Sequence, residues 1–114
     1  MPKFIAICYG DRAGYDRTPE QVKKNAHEQD ARLVRQGALI GRADPPIQIR
    51  NPDAKSVETD KGPYMTSKLP VAGFTIIETT HMDEAIEKLS RVPCAVAHGV
   101  VEVWPLREQI QDQM

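Results

Sequence analysis

Lys3-Phe4-Ile5-Ala6-Ile7-Cys8-Tyr9 is the stretch on which the fold turns. Side chains alternate between the two faces of a strand, and here both sets, Phe4/Ala6/Cys8 and Ile5/Ile7/Tyr9, are mostly apolar. Such a run predicts a strand buried on both faces and central in its sheet. Gly10-Asp11 then opens a polar loop. Thr18-Pro19-Glu20-Gln21 has the form of a helix start, with Thr18 as cap, Pro19 at the first helical position and Gln21 closing a capping box. The helix is expected to reach about Gln36, with Gly37 as its stop. Val22, Ala26, Leu33 and Val34 form its expected buried stripe, and Lys23, Lys24, Glu28 and Arg35 its solvated face.

Further along, Ala38–Arg42 reads as a short strand ended by Asp44-Pro45-Pro46. Gln48–Arg50 and Ser56–Thr59 flank the turn Asn51-Pro52-Asp53 and read as an irregular hairpin or an edge excursion. Lys61–Pro70 is a loop. Gly73–Glu78 is the next strand, and Met82, Ala85, Ile86 and Leu89 recur at helical spacing, so Met82–Arg91 is an amphipathic helix ended by Pro93. Val100–Trp104 is the last strand, closed by Pro105. The order is β-α-β-β-α-β with one excursion, the pattern of a ferredoxin-like α+β fold with an antiparallel sheet. One domain is expected over residues 1–106, followed by a charged, amide-rich tail over 107–114. Two helices cover one face of four strands. The other face, apolar in Lys3–Tyr9 and Gly73–Glu78, is then expected to be covered by a second copy of the chain.

Composition narrows the function classes. A chain of 114 residues with 40% hydrophobic and 27% charged residues suits one globular domain rather than a disordered chain. A net charge of −1 gives no general attraction to nucleic acid or anionic membrane. No apolar run approaches the roughly 20 residues that span a bilayer. The opening apolar run is too short for a secretory signal, and a cytoplasmic address is expected. Cys8 and Cys94 make no disulfide framework, sit among apolar neighbours as inert packing, and lack the spacing of a zinc site. No phosphate loop, dinucleotide fingerprint or nucleophile-elbow motif is present, so neither a cofactor nor a metal is expected.

Taken in order along nearly the whole chain, a set of short motifs resembles the YCII-related family, in its DGPF-type branch. The set comprises Tyr9-Gly10-Asp11, His27-Glu28, Gly37–Gly41 with Pro45-Pro46, Asp60 with Gly62-Pro63-Tyr64, and Lys68. It continues with Gly73–Glu78, Asp83-Glu84-Ala85 and Val101–Leu106. There are departures. Lys61 intrudes into the Asp-Gly-Pro-Phe motif and Tyr64 replaces its phenylalanine. Trp104 stands where arginine is common. Gln36-Gly37 occupies the place where other branches carry an acid thought to pair with the helix histidine. The resemblance implies a dimeric α/β barrel. It implies no single activity: a few relatives look like ring-processing enzymes, and others like accessory modules of transcription regulators.

His27 leads the candidates for chemistry. Seven residues before Val34, it lies beside the expected buried stripe, and an imidazole exchanges protons near neutral pH. Asp60 is its expected partner as orienting group or base, against the plain alternative of turn chemistry. Tyr9, Asp11, Lys68, Glu102 and His98 are candidates for binding a substrate. Each has a bland reading too: packing for Tyr9, a loop for Asp11, solvation for Lys68, an edge in water for Glu102, a strand end for His98. His81 reads as a helix cap. Two function classes stay open. One is a cofactor-independent enzyme using His27 and Asp60 for proton transfer on a small, partly apolar ring or organic acid, of lyase, isomerase or dehydrohalogenase type. The other is a non-catalytic ligand-binding or regulatory module using the same cavity as a homodimer. A second polar group aimed at His27 favours the enzyme.

Overall fold

The alternation in Lys3–Tyr9 becomes a strand, β1 (Lys3–Tyr9), whose Phe4, Ala6 and Cys8 are buried while Ile5, Ile7 and Tyr9 are half-buried. The computed structural model describes residues 1–107. After β1 come α1 (Arg12–Asp16), α2 (Glu20–Arg35), β2 (Leu39–Arg42), β3 (Ile47–Arg50) and β4 (Glu58–Lys61). Then follow β5 (Val71–Glu78), α3 (Met82–Leu89), α4 (Pro93–Val96) and β6 (Val100–Leu106). Four strands form one antiparallel sheet in the order β2-β5-β1-β6, so β1 is central as expected, between β5 and β6. Among the described residues β3 and β4 pair only with each other, as a separate antiparallel hairpin with Asp60 opposite Gln48. The molecule is therefore mixed α+β. Of the expected tail, all but Arg107 lies outside the described residues.

The core sits on one face of the sheet. Phe4, Ala6 and Ile77 from the strands meet Leu33 of α2, Ala85 and Leu89 of α3, and Val92 before α4. Leu33 is 2% exposed, and truncating such a side chain to alanine typically costs about 2–5 kcal/mol. On the opposite face, Leu39, Ile76, Ile5 and Trp104 stand in register across all four strands, with Phe74, Ile7 and Glu102 in the next row. No element among the described residues covers this row. Leu39, Phe74 and Trp104 are 67%, 45% and 54% exposed. In the single chain β1 is thus buried on one face and only half-buried on the other.

Helix registers correct several expectations. The inward face of α2 is Ala26, Gln29 and Leu33, whereas Val22 and Val34 are exposed. The stripe is narrower and rotated because Gln29 is buried: its amide donates to the Lys88 carbonyl at 2.8 Å, tying α2 to α3, and it accepts from Arg32. A buried polar group with both ends satisfied is tolerated in a core, and the letter pattern hides it. Lys23 is largely covered rather than solvated. Its ammonium lies 4.7 Å from the Tyr15 ring centre and 2.8 Å from Glu20. Thr18 does not cap: its hydroxyl donates to the Gly14 carbonyl at 2.8 Å, and Gln21 bonds Asn25 instead of closing a box.

α3 keeps Ala85 and Leu89 inside but leaves Ile86 54% exposed. It ends at Leu89 rather than Arg91, and Pro93 opens α4 instead of only closing α3. Proline without its N–H suits a first turn. His81 stands at the N-cap without a side-chain bond. The Thr80 hydroxyl instead donates to Glu84 at 2.6 Å and holds that carboxyl down to about 2. Pro105 does not close β6. It pairs with Phe4 inside it, which an edge strand allows. The hairpin β3–β4 is regular rather than irregular, and its turn holds Asp53 and Ala54 at φ of 55° and 58°.

Candidate functional site

The polar loop after β1 contains the first piece of the site. Asp11 accepts from the Gly14 N–H at 2.9 Å and so caps α1, a helix the sequence did not announce. Gly14 is buried, and a Cβ there would stand 2.6 Å from the Ala97 carbonyl oxygen. Only glycine lets α1 press onto the end of α4 this closely. That docking puts the next residue, Tyr15, beside α2. Its hydroxyl lies 2.8 Å from His27 Nε2, with the two rings edge to face at a centroid distance of 5.9 Å. With Nε2 unprotonated, the phenol donates to it and Nδ1 carries the ring proton.

His27 and Tyr15 line a concavity of about 780 Å³ on the helix side of the sheet. Cys8 of β1, Arg42 of β2 and Gly73 of β5 contribute to its sheet wall, and Cys94 to the wall made by α4. A Cβ on Gly73 would lie 2.4 Å from the Gly41 carbonyl oxygen, so glycine there both allows β2 to pair and leaves the wall without a side chain. Asp30, one helical turn after His27, also lines the cavity. Burial pushes the Asp30 carboxyl up, and the nearby His27 opposes that shift. The site thus combines an imidazole, a phenol bonded to it, and a carboxyl whose protonated form is favoured by its surroundings.

The expected residues are divided among three places. His27 and Asp11 reach the cavity, Asp11 with its carboxylate used as a cap. Tyr9 and Glu102 stand together on the open sheet face, where the Tyr9 hydroxyl donates to Glu102 Oε1 at 3.0 Å. Burial and then the Glu102 carboxylate push the Tyr9 phenol up. Asp60 is exposed on β4, Lys68 is exposed in the loop before β5, and neither lines the cavity. His98 is exposed, at φ 65°, in the turn before β6. No residue of 44–70 lines the cavity, whereas Arg12 and Tyr15 of α1 and Pro93 and Cys94 of α4 do.

Sequence reasoning missed Tyr15 and Asp30. Asp30 was within reach of it, since a three-residue spacing puts it on the His27 side of α2. Tyr15 was not, because its place depends on α1 meeting α4 through Gly14. Among the described residues no helix is long and apolar enough to cross a membrane. No protein-family model matches the chain, and no curated protein matches it significantly.

Proposed function

We propose that the chain is a YCII-related protein of ferredoxin-like fold that binds a small, partly apolar molecule in the His27 cavity and transfers a proton to or from it. The observation that carries this reading is the 2.8 Å contact between the Tyr15 hydroxyl and His27 Nε2 at the wall of the cavity. A phenol donating to one ring nitrogen fixes the imidazole's orientation and tautomer, and so decides which atom exchanges the proton. Asp30, whose carboxyl burial pushes up, is the second acid–base group within the same wall. Ring-opening, isomerisation or dehydrohalogenation of an organic acid needs no more than such a pair. The cytoplasm supplies substrates of this kind and is the proposed address.

The same reading has two copies packed through the open sheet faces, closing a dimeric barrel. It is supported by the apolar row Leu39, Ile76, Ile5 and Trp104, which no element among the described residues covers. Asp60 has no part in proton transfer here; its place on β4 suits turn and hairpin chemistry.

The test is a screen of lactones, unsaturated carboxylic acids and halogenated acids for turnover by the wild-type chain. His27→Ala is expected to lower turnover by roughly 10²–10⁴-fold, the usual contribution of a general acid–base group, with the fold retained. Tyr15→Phe should give a smaller loss. Equal turnover by His27→Ala would sink the catalytic role. Compounds that bind in the cavity but are never transformed would leave the non-catalytic binding module as the function.

A further inference from the structure

Two thiols in the cavity wall take no part in the proton chemistry. Cys8 ends the buried set of β1, and Cys94 lies in α4. They are far apart in sequence and reach one cavity because the turn from α4 into β6 crosses the end of β1. Gly99 makes that crossing possible. A Cβ there would stand 2.1 Å from the Tyr9 carbonyl oxygen and 2.7 Å from that of Cys94, while the Gly99 N–H donates to the Cys94 carbonyl at 3.0 Å. The crossing brings the Cys94 sulfur 3.4 Å from where a Cβ on Gly10 would be, two residues beyond Cys8. Both thiols are free and both line the cavity.

We infer that Cys8 and Cys94 form a dithiol oxidation site that reacts with small hydroperoxides entering the cavity and closes to an intrachain disulfide. The division of labour follows from their surroundings. The nearby Cys94 thiol pulls Cys8 below the ordinary thiol range against its burial. Cys8 in turn, together with burial, pushes Cys94 up and keeps it protonated. Thiolate is the nucleophilic form, so Cys8 attacks. Its sulfur bonds to one peroxide oxygen, the O–O bond breaks, and the departing oxygen takes a proton to leave as water or alcohol. Cys8 is now a sulfenic acid. The Cys94 sulfur then bonds to the Cys8 sulfur, the S–O bond breaks, and hydroxide leaves with the Cys94 proton as water. The two electrons gained by the peroxide come from the two thiols.

Reduced full-length chain is treated with hydrogen peroxide, then read by intact mass, free-thiol count and peptide mapping without reductant. Both thiols are expected to disappear together, with loss of their two hydrogens and a peptide bearing Cys8 joined to one bearing Cys94. Dithiothreitol should restore both. Cys94→Ser should instead gain oxygen at Cys8, and Cys8→Ala should keep its Cys94 thiol at a peroxide dose that consumes the wild type. Independent oxygen addition at each cysteine of the wild type overturns the inference. So do disulfides formed only between chains, or a Cys94 thiol in Cys8→Ala that is lost at the wild-type rate. Should Cys8→Ala fail to fold, the wild-type peptide map decides alone.

Discussion

Asp30 is the residue where position and chemistry pull apart. A carboxyl lifted by burial costs stability when it ionises, because the folded state favours its protonated form. For a group whose folded value is raised above its ordinary 3.8, the stabilising contribution is full below that value and is lost as pH rises through the folded one. Asp30→Asn should therefore melt higher than the wild type at neutral pH, with the gap closing as pH falls below the ordinary carboxylate range. Thermal melts across that range check it, and a lower melting point for Asp30→Asn at neutral pH would show a carboxylate that is paired rather than stranded. The same substitution should reduce any turnover, the pattern expected where a functional group is held at a cost to the fold. His27 was legible from its letter and its spacing. Asp30 was legible from spacing alone, and was passed over because an aspartate on a helix ordinarily reads as solvated.

At the scale of elements, α1 shows why a site can be hidden in a sequence. Its five residues, Arg-Ala-Gly-Tyr-Asp, have no amphipathic period, and a helix this short has no intrinsic stability. It exists because Asp11 caps it and because Gly14 lets it sit on the Ala97 carbonyl. Gly14→Ala should push α1 off α4 and separate Tyr15 from His27. The expected result is a loss of roughly 1–3 kcal/mol, the usual cost of overpacking, and a return of the His27 ring to the tautomer mixture of a free histidine. Denaturant titration and ring-nitrogen chemical shifts read the two effects, and an unchanged tautomer would mean that α1 does not position Tyr15. The strands, by contrast, were nearly all readable. The apolar runs Lys3–Tyr9 and Gly73–Glu78 are local properties, and so are the turn residues of Asn51-Pro52-Asp53, although β5 begins earlier than read, at Val71. What could not be read locally was whatever two elements decide jointly: the rotation of α2 set by Gln29 on the Lys88 carbonyl, and the arrival of Cys8 and Cys94 in one cavity.

For the whole molecule, the open sheet face is the feature with the largest energetic weight. Burial of apolar surface is worth roughly 25 cal/mol per Å², so leaving Leu39, Phe74 and Trp104 in water is a standing incentive to associate. With the proposed pairing, the melting temperature should rise with chain concentration, as it does whenever a partner binds only the folded state. Phe74→Asp should abolish that dependence and give a monomer, because a carboxylate at the centre of an apolar interface is stranded without a partner. A wild-type chain that melts at the same temperature at every concentration and scatters as a monomer would remove the pairing. The composition anticipated this face, since two helices cannot cover both sides of four apolar strands. The hairpin β3–β4 was legible as an excursion but not as a free-standing arm.

That arm is part of an elongated molecule. Its strands pair with each other and not with the main sheet, and Cα atoms extend over 53 × 34 × 20 Å, with a radius of gyration of 16.4 Å. A compact chain of this length would be near 13 Å. A single copy therefore experiences the drag of a noticeably heavier globule, and on a calibrated gel-filtration column it would elute early enough to be mistaken for an assembly. Molar mass by light scattering or sedimentation equilibrium is blind to shape, and only such a measurement separates a long monomer from a true pair.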